Sequence, residues 1–216
     1  MKIRLIFPLI AALFTLLFAP EASAQEAVTA QSPSAVAFAS APRAVFPLLD
    51  RNTRLDMIDY AVNGLDNPSA NALGGRSVIT SITPSSLGVR MSDSSTAQLA
   101  LLGPDSVIMV ISTVAAPGLD SNVAFYSTSW TPEQGTKRFS KPGWKDWIAP
   151  GGDLATVTSV IPFMLASYVY DPATLTLRIT NNLSSFLDAD TWSMVSSEML
   201  PELVYRWNGS KFVMQK

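Results

Sequence analysis

The chain has 216 residues, 48% of them hydrophobic and 15% charged, with 15 Lys and Arg against 17 Asp and Glu and neither Cys nor His. Without imidazole or thiol there is no Ser-His-Asp triad, cysteine nucleophile, disulfide, iron–sulfur cluster or zinc site built on His or Cys. A near-neutral balance with no basic block argues against nucleic acid as a partner, whose affinity rests on Lys and Arg neutralising phosphates.

Lys2 and Arg4 give a positive start, Leu5 to Phe18 is an almost wholly apolar run, and Ala22-Ser23-Ala24 is a small-x-small cleavage site. Residues 1–24 are therefore expected to be a secretory signal peptide, which implies an exported protein. The run is shorter than the roughly 20 residues that span a bilayer, and Pro8 and Pro20 interrupt or bound it. Without Lys2, Arg4 and Glu21, 13 cations and 16 carboxylates remain, a mildly acidic mature chain. No transmembrane segment is expected after cleavage, because the longest later apolar stretch, Val107 to Ile111, is strand-sized. An exported chain without cysteines depends on its core alone for stability.

Residues 25–43, rich in Ala, Ser, Pro and Gln, lack a sustained apolar period and are expected to form a flexible leader. A single domain is expected over residues 44–216. It opens with the short apolar turn Val45 to Leu49, followed by an amphipathic helix over Thr53 to Val62. Leu55, Ile58 and Val62 mark its apolar face, Asn52 or Thr53 its cap and Gly64 its stop. From Ala70 to Thr128 the period changes to two. Leu87, Val89 and Met91 form one stripe and Ala97, Leu99 and Leu101 another, while Val107 to Val114 lacks alternation, as a central strand covered on both faces would. Short connectors predict an antiparallel meander.

Trp130 to Gly152 breaks this rhythm with repeated Pro and Gly, and carries Trp130, Trp144 and Trp147 beside Lys137, Arg138, Lys141 and Lys145. It reads as a long ordered loop with one helical turn near Lys145. Leu175, Leu177 and Ile179 then alternate on a strand with one wet face. Asp188 caps a short helix lined by Trp192, Val195 and Met199, with Leu187 and Trp192 placed as a hydrophobic staple. Asn208-Gly209 closes a terminal hairpin.

The search for chemistry yields no catalytic, cofactor-binding or metal-binding residues. Gly74-Gly75-Arg76-Ser77 lacks the spacing of a phosphate loop, and neither S-x-x-K nor G-x-S-x-G occurs. Asp56 and Asp59 read as the wet face of their helix, and Asp188-Ala189-Asp190 as a cap rather than a calcium loop. The strongest candidate for function is a partner-binding cluster of Trp130, Trp144, Trp147, Lys141 and Lys145, since indoles beside cations anchor protein interfaces or stack on sugars. The competing reading is that these rings tuck the loop against the sheet.

Several blocks in order, Arg54-Leu55-Asp56-Met57-Ile58-Asp59-Tyr60, Leu73-Gly74-Gly75-Arg76-Ser77, Val123 to Trp130, Pro162-Phe163-Met164 and Tyr205 to Phe212, resemble a domain-of-unknown-function family of exported proteins from Bacteroidales. The resemblance implies a periplasmic or envelope setting in a Gram-negative bacterium, and brings no activity and no catalytic residues.

The sequence thus predicts one α+β domain: a twisted antiparallel sheet of about six to eight strands on an N-terminal helix, with a second short helix before a C-terminal hairpin. The leading functional expectation is a non-enzymatic binding module for an envelope protein or a surface polysaccharide, needing no cofactor. Two alternatives stay open: a glycan hydrolase using paired carboxylates, and a carrier of a small apolar ligand in an internal cavity. Oligomeric state is not readable from the sequence.

Overall fold

The computed structural model describes residues 29–103, 107–115 and 117–215; the segment read as a signal peptide lies outside them. Among the described residues the architecture is α+β, with five α-helices and two antiparallel sheets. Helices α1 (Pro33–Ser40) and α2 (Arg51–Val62) precede a six-stranded meander, β1 (Ser69–Ala70), β2 (Arg76–Thr83), β3 (Ser86–Ser92), β4 (Ser95–Leu102), β5 (Val107–Ala115) and β6 (Leu119–Tyr126). A connecting segment with α3 (Gly135–Arg138), a 3-10 turn at Trp144–Trp147 and α4 (Leu154–Val160) leads to the second sheet. That sheet holds β7 (Ala166–Asp171), β8 (Thr176–Asn181), β9 (Glu202–Trp207) and β10 (Phe212–Met214) in the order β10-β9-β8-β7, with α5 (Ala189–Val195) between β8 and β9. The strands expected in one sheet are thus divided between two.

Alternation along the first sheet builds two cores, one on each face. Leu87, Val89, Ala97, Leu99, Ile108 and Val110 face α1 and α2. Ala100, Leu102, Val107, Met109, Ile111 and Phe125 face the second sheet, whose Tyr168, Tyr170, Leu177, Ile179, Leu203 and Tyr205 complete that layer. Strand β5 is buried from Val107 to Ile111 because both faces are covered, which is why its sequence shows no alternation.

The segment expected as a flexible leader is structured from Pro33 onward. Helix α1 buries Ala35 and Phe38 completely, and Phe38 meets Phe46 edge-on at 4.9 Å. Its small size hides the signal: its eight residues carry only Val36 and Phe38 as large apolar side chains, and Val36 is exposed, so no period is set. What fixes it is Arg54 of α2, only 3% exposed, which donates to the carbonyls of Ala41 (2.6 Å), Leu49 (3.3 Å) and Ala39 (3.4 Å). A cation at the C-terminal carbonyls of α1 meets the negative end of that helix. Arg54 thereby takes a core position, and the buried face of α2 is Arg54, Met57 and Ile58, while Leu55 is exposed. The cap of α2 is Asp50, which accepts from the Thr53 amide at 2.8 Å, two to three residues earlier than the sequence suggested. The helix stops near Gly64, whose φ of 68° is easy only for glycine.

Edge strand β7 is closed by side chains. Ser167 and Val169 pair with β8, so the backbone groups of Ala166, Tyr168 and Tyr170 point away from it. On that side Gln98 of β4 accepts from the Tyr170 amide at 2.9 Å and donates to the Tyr170 carbonyl at 2.7 Å. Ser121 Oγ accepts from the Tyr168 amide at 3.0 Å, and Asp120 Oδ1 from the Ala166 amide at 3.4 Å. These bonds join the sheets along a line where no strand pairing is possible. Gln98→Leu leaves both backbone groups of buried Tyr170 unpaired, and urea unfolding is expected to show a loss of about 2–4 kcal/mol. A loss below about 0.5 kcal/mol refutes the role of this amide.

Candidate functional site

The three tryptophans proposed as a cluster are separated by the fold. Trp130, 8% exposed, lies in the core under the N-terminal helices, where its indole N–H donates to Ser40 Oγ at 3.3 Å and its ring sits 5.3 Å from that of Tyr126. It occupies left-handed backbone space at φ 61°, a strained position for a bulky residue that this packing holds in place. Trp147, 1% exposed, lies in the other core, and only half-buried Trp144 reaches the surface. Trp130 and Trp147 are thus packing residues, which leaves Trp144 and the exposed Lys141 and Lys145 as the accessible members of the cluster.

The loop is ordered because both ends of its second half are tied down. The Trp147 carbonyl accepts from the Leu200 amide at 2.7 Å, the Ala149 amide donates to the Glu198 carbonyl at 2.8 Å, and Ile148 bridges Met199. Asp146 accepts from the Gly143 amide at 2.7 Å and fixes the start of the 3-10 turn. Farther back, Phe139 is buried among Tyr168, Tyr205 and Phe212, with ring centroids 5.2–6.3 Å away.

Between this loop and the terminal hairpin runs an open cleft of about 320 Å³. One wall carries Lys137 and Arg138 of α3, the other Lys211 and β10, and buried Phe139, Tyr205 and Phe212 line the space between. Arg138 is held in place by Glu133, which accepts from Nε at 2.7 Å, and by the Ser210 carbonyl, which accepts from Nη1 at 3.2 Å. Phe139 was not singled out from the sequence, and the hairpin was read there as structure without a place in the candidate cluster. The available signal was cationic: Lys137 and Arg138 precede an aromatic in the loop, as Lys211 does in the hairpin.

The carboxylates serve local structure. Asp50, Asp153 and Asp188 cap helices, Asp171 holds the turn after β7, and hydrogen bonds from nearby Thr side chains and backbone amides push all four carboxyls below their ordinary value. A glycosidase acid needs its pKa raised. Glu133 and Glu202 pair with Arg138 and Arg178, and among the described residues there is no group of three carboxylates that would hold a metal ion. The larger concavities, of about 320–490 Å³, open to the surface and are lined by polar as well as apolar side chains.

Three tyrosines of the inter-sheet core titrate abnormally. Burial pushes Tyr168, Tyr170 and Tyr205 up to about 12, with Asp120, Asp171 and Asp146 respectively adding to it. Their folded values lie above the unfolded value near 10, so the folded state keeps protons that the unfolded state loses. Their stabilising contribution is complete below about pH 10 and lost as pH rises towards 12. Alkaline titration is expected to show tyrosinate absorbance from these rings appearing together with loss of near-ultraviolet dichroism; ionisation near pH 10 with dichroism intact would contradict their burial.

The model of a family described as "Protein of unknown function (DUF3256)" matches residues 25–212. A solved structure, a domain of an uncharacterized protein from Porphyromonas gingivalis W83, superposes with a TM-score of 0.73 at 23% identity, covering 83% of this chain and 98% of that one. At that identity the likeness concerns the fold. No curated protein matches the sequence.

Proposed function

We propose that this chain, which belongs to the DUF3256 family of proteins of unknown function, is an exported envelope protein that acts by binding a partner and not by catalysis. The observation that carries the reading is the cleft between the Trp-containing loop and the terminal hairpin, an ordered concavity of about 320 Å³ with Lys137, Arg138 and Lys211 on its walls. The loop is built as a rigid support, with Trp147 and Phe139 anchored in the core, so its exposed Lys141 and Lys145 sit on a fixed surface. Export rests on the charged start, apolar run and small-residue cleavage site of residues 1–24, and on the envelope setting of the family that the sequence resembles.

No helix among the described residues is long and apolar enough to cross a membrane. Hydrogen bonds hold the Asp153 and Asp188 carboxyls below their ordinary value, opposite to the shift a hydrolytic acid needs, and the absence of His and Cys from the sequence removes the common nucleophile and base pairs.

The test is site-specific photo-crosslinking in the native envelope, with a probe at Lys145 and a control probe at Arg178 on the exposed face of β8. The reading expects mature protein in the periplasmic or membrane fraction and a discrete adduct at Lys145 that is missing at Arg178. Retention in the cytoplasm, or identical adducts at both positions, contradicts it.

A further inference from the structure

Where each sheet ends decides what can be added to it. Along β7 the outward backbone groups are taken by Gln98, Ser121 and Asp120. Strand β2 pairs with β1 only at Arg76 and Ser77, and its register is broken between Ile79 and Ser81, a bulge that blunts the rest of that edge. Strand β10 has neither device. The Asn208 amide donates to the Lys211 carbonyl and the Gln215 amide to the Val204 carbonyl, so Lys211, Val213 and Gln215 are the residues bonded to β9. By alternation the N–H and C=O groups of Phe212 and Met214 point away from β9, and both residues line the cleft.

Both walls carry positive charge, Lys137 and Arg138 on one and Lys211 beside β10 on the other. The segment from Glu133 to Asp146 together with Lys211 carries five cations against two carboxylates, in a chain whose net charge is −2, and Lys137, Arg138 and Lys211 of the five line the cleft. Of the two, Glu133 is already paired with Arg138 and Asp146 with the Gly143 amide. The Arg138 guanidinium, on the cleft lining, uses Nε and Nη1 internally, which leaves Nη2 without an acceptor among the described residues.

We infer that the cleft receives an extended, acidic segment of a partner protein, which adds to β10 as a further strand. The inference rests on the binding role proposed above and names its ligand. Backbone groups of Phe212 and Met214 at strand spacing recognise a polypeptide, and the surplus of positive charge recognises its carboxylates. A polysaccharide has no ladder of amides to match the first feature. Exposed Val213, 40% accessible, lies beside the added strand and favours an apolar residue alternating with the acids.

The probe is a synthetic peptide of alternating Glu and Val, titrated into the mature protein while amide resonances are followed by NMR. The inference expects saturable shifts at Phe212 and Met214, with affinity falling at least tenfold when alternate backbone nitrogens of the peptide are methylated. A comparable fall is expected when Lys replaces Glu, or in the exposed variants Lys137→Glu and Lys211→Glu, whose folding is checked by the unchanged dispersion of their spectra. Equal affinity for the methylated peptide, shifts confined to other surfaces, no saturable binding, preference for an acidic polysaccharide, or pairing of two copies through β10 in sedimentation each overturn it. A discrete protein adduct at Lys145 in the envelope together with any of these results leaves the binding role standing and removes strand addition alone.

Discussion

A single glutamine side chain decides how the two sheets of this protein share an edge. Gln98 presents an acceptor and a donor to the Tyr170 backbone, as a neighbouring strand would, and so completes β7 without a strand beside it. Ser121 and Asp120 extend the same line. Because those backbone groups are buried, leaving them unpaired would cost more than the net value of ordinary hydrogen bonds. The second sheet is thus fixed on the face of the first that α1 and α2 leave free, and its other end, β10, becomes the edge that lines the cleft with the Trp-containing loop.

The rest of the architecture follows from sharing the first sheet between two cores. Helices α1 and α2 cover one face, and Arg54 and Trp130 tie α1 down through its last carbonyls and the Ser40 hydroxyl. The second sheet covers the other, with Phe139 and Trp147 drawing the long loop into the same layer. A loop anchored in this way presents its lysines from a fixed surface, so the cleft beside β10 exists before any ligand arrives.

Much of the fold was legible in the sequence because it depends on periodicity. Leu87, Val89 and Met91 do share a buried face, the uniform run from Val107 does become the doubly covered strand, and Asp188 does cap the helix before the last hairpin. What escaped depends on side chains acting against type. Arg54 fills a core position although its charge suits a surface, and α1 was missed because its eight residues set no apolar period, even though Ala35 and Phe38 are fully buried. Leu175 extends the alternating stripe of β8 in sequence, yet it sits in the preceding turn at φ 57°. The terminal turn is shifted by one residue from the Asn208-Gly209 dipeptide, since the Asn208 amide bonds the Lys211 carbonyl and Gly209, at φ 97°, opens the loop. In the Trp-containing loop tryptophan signals burial as readily as recognition, and only the fold separates buried Trp130 and Trp147 from half-buried Trp144. That Lys211 would face Lys137 across a cleft is a long-range fact without a local signature.

The account's central claim is that one sheet edge is closed by side chains and the other left open. Amide hydrogen exchange in the free protein tests it directly, by comparing Tyr168 and Tyr170 on β7 with Phe212 and Met214 on β10. The account predicts slow exchange at both tyrosines, as in the interior of a sheet, and fast exchange at Phe212 and Met214. Fast exchange at Tyr168 and Tyr170, or protection of Phe212 and Met214 equal to theirs, would contradict it.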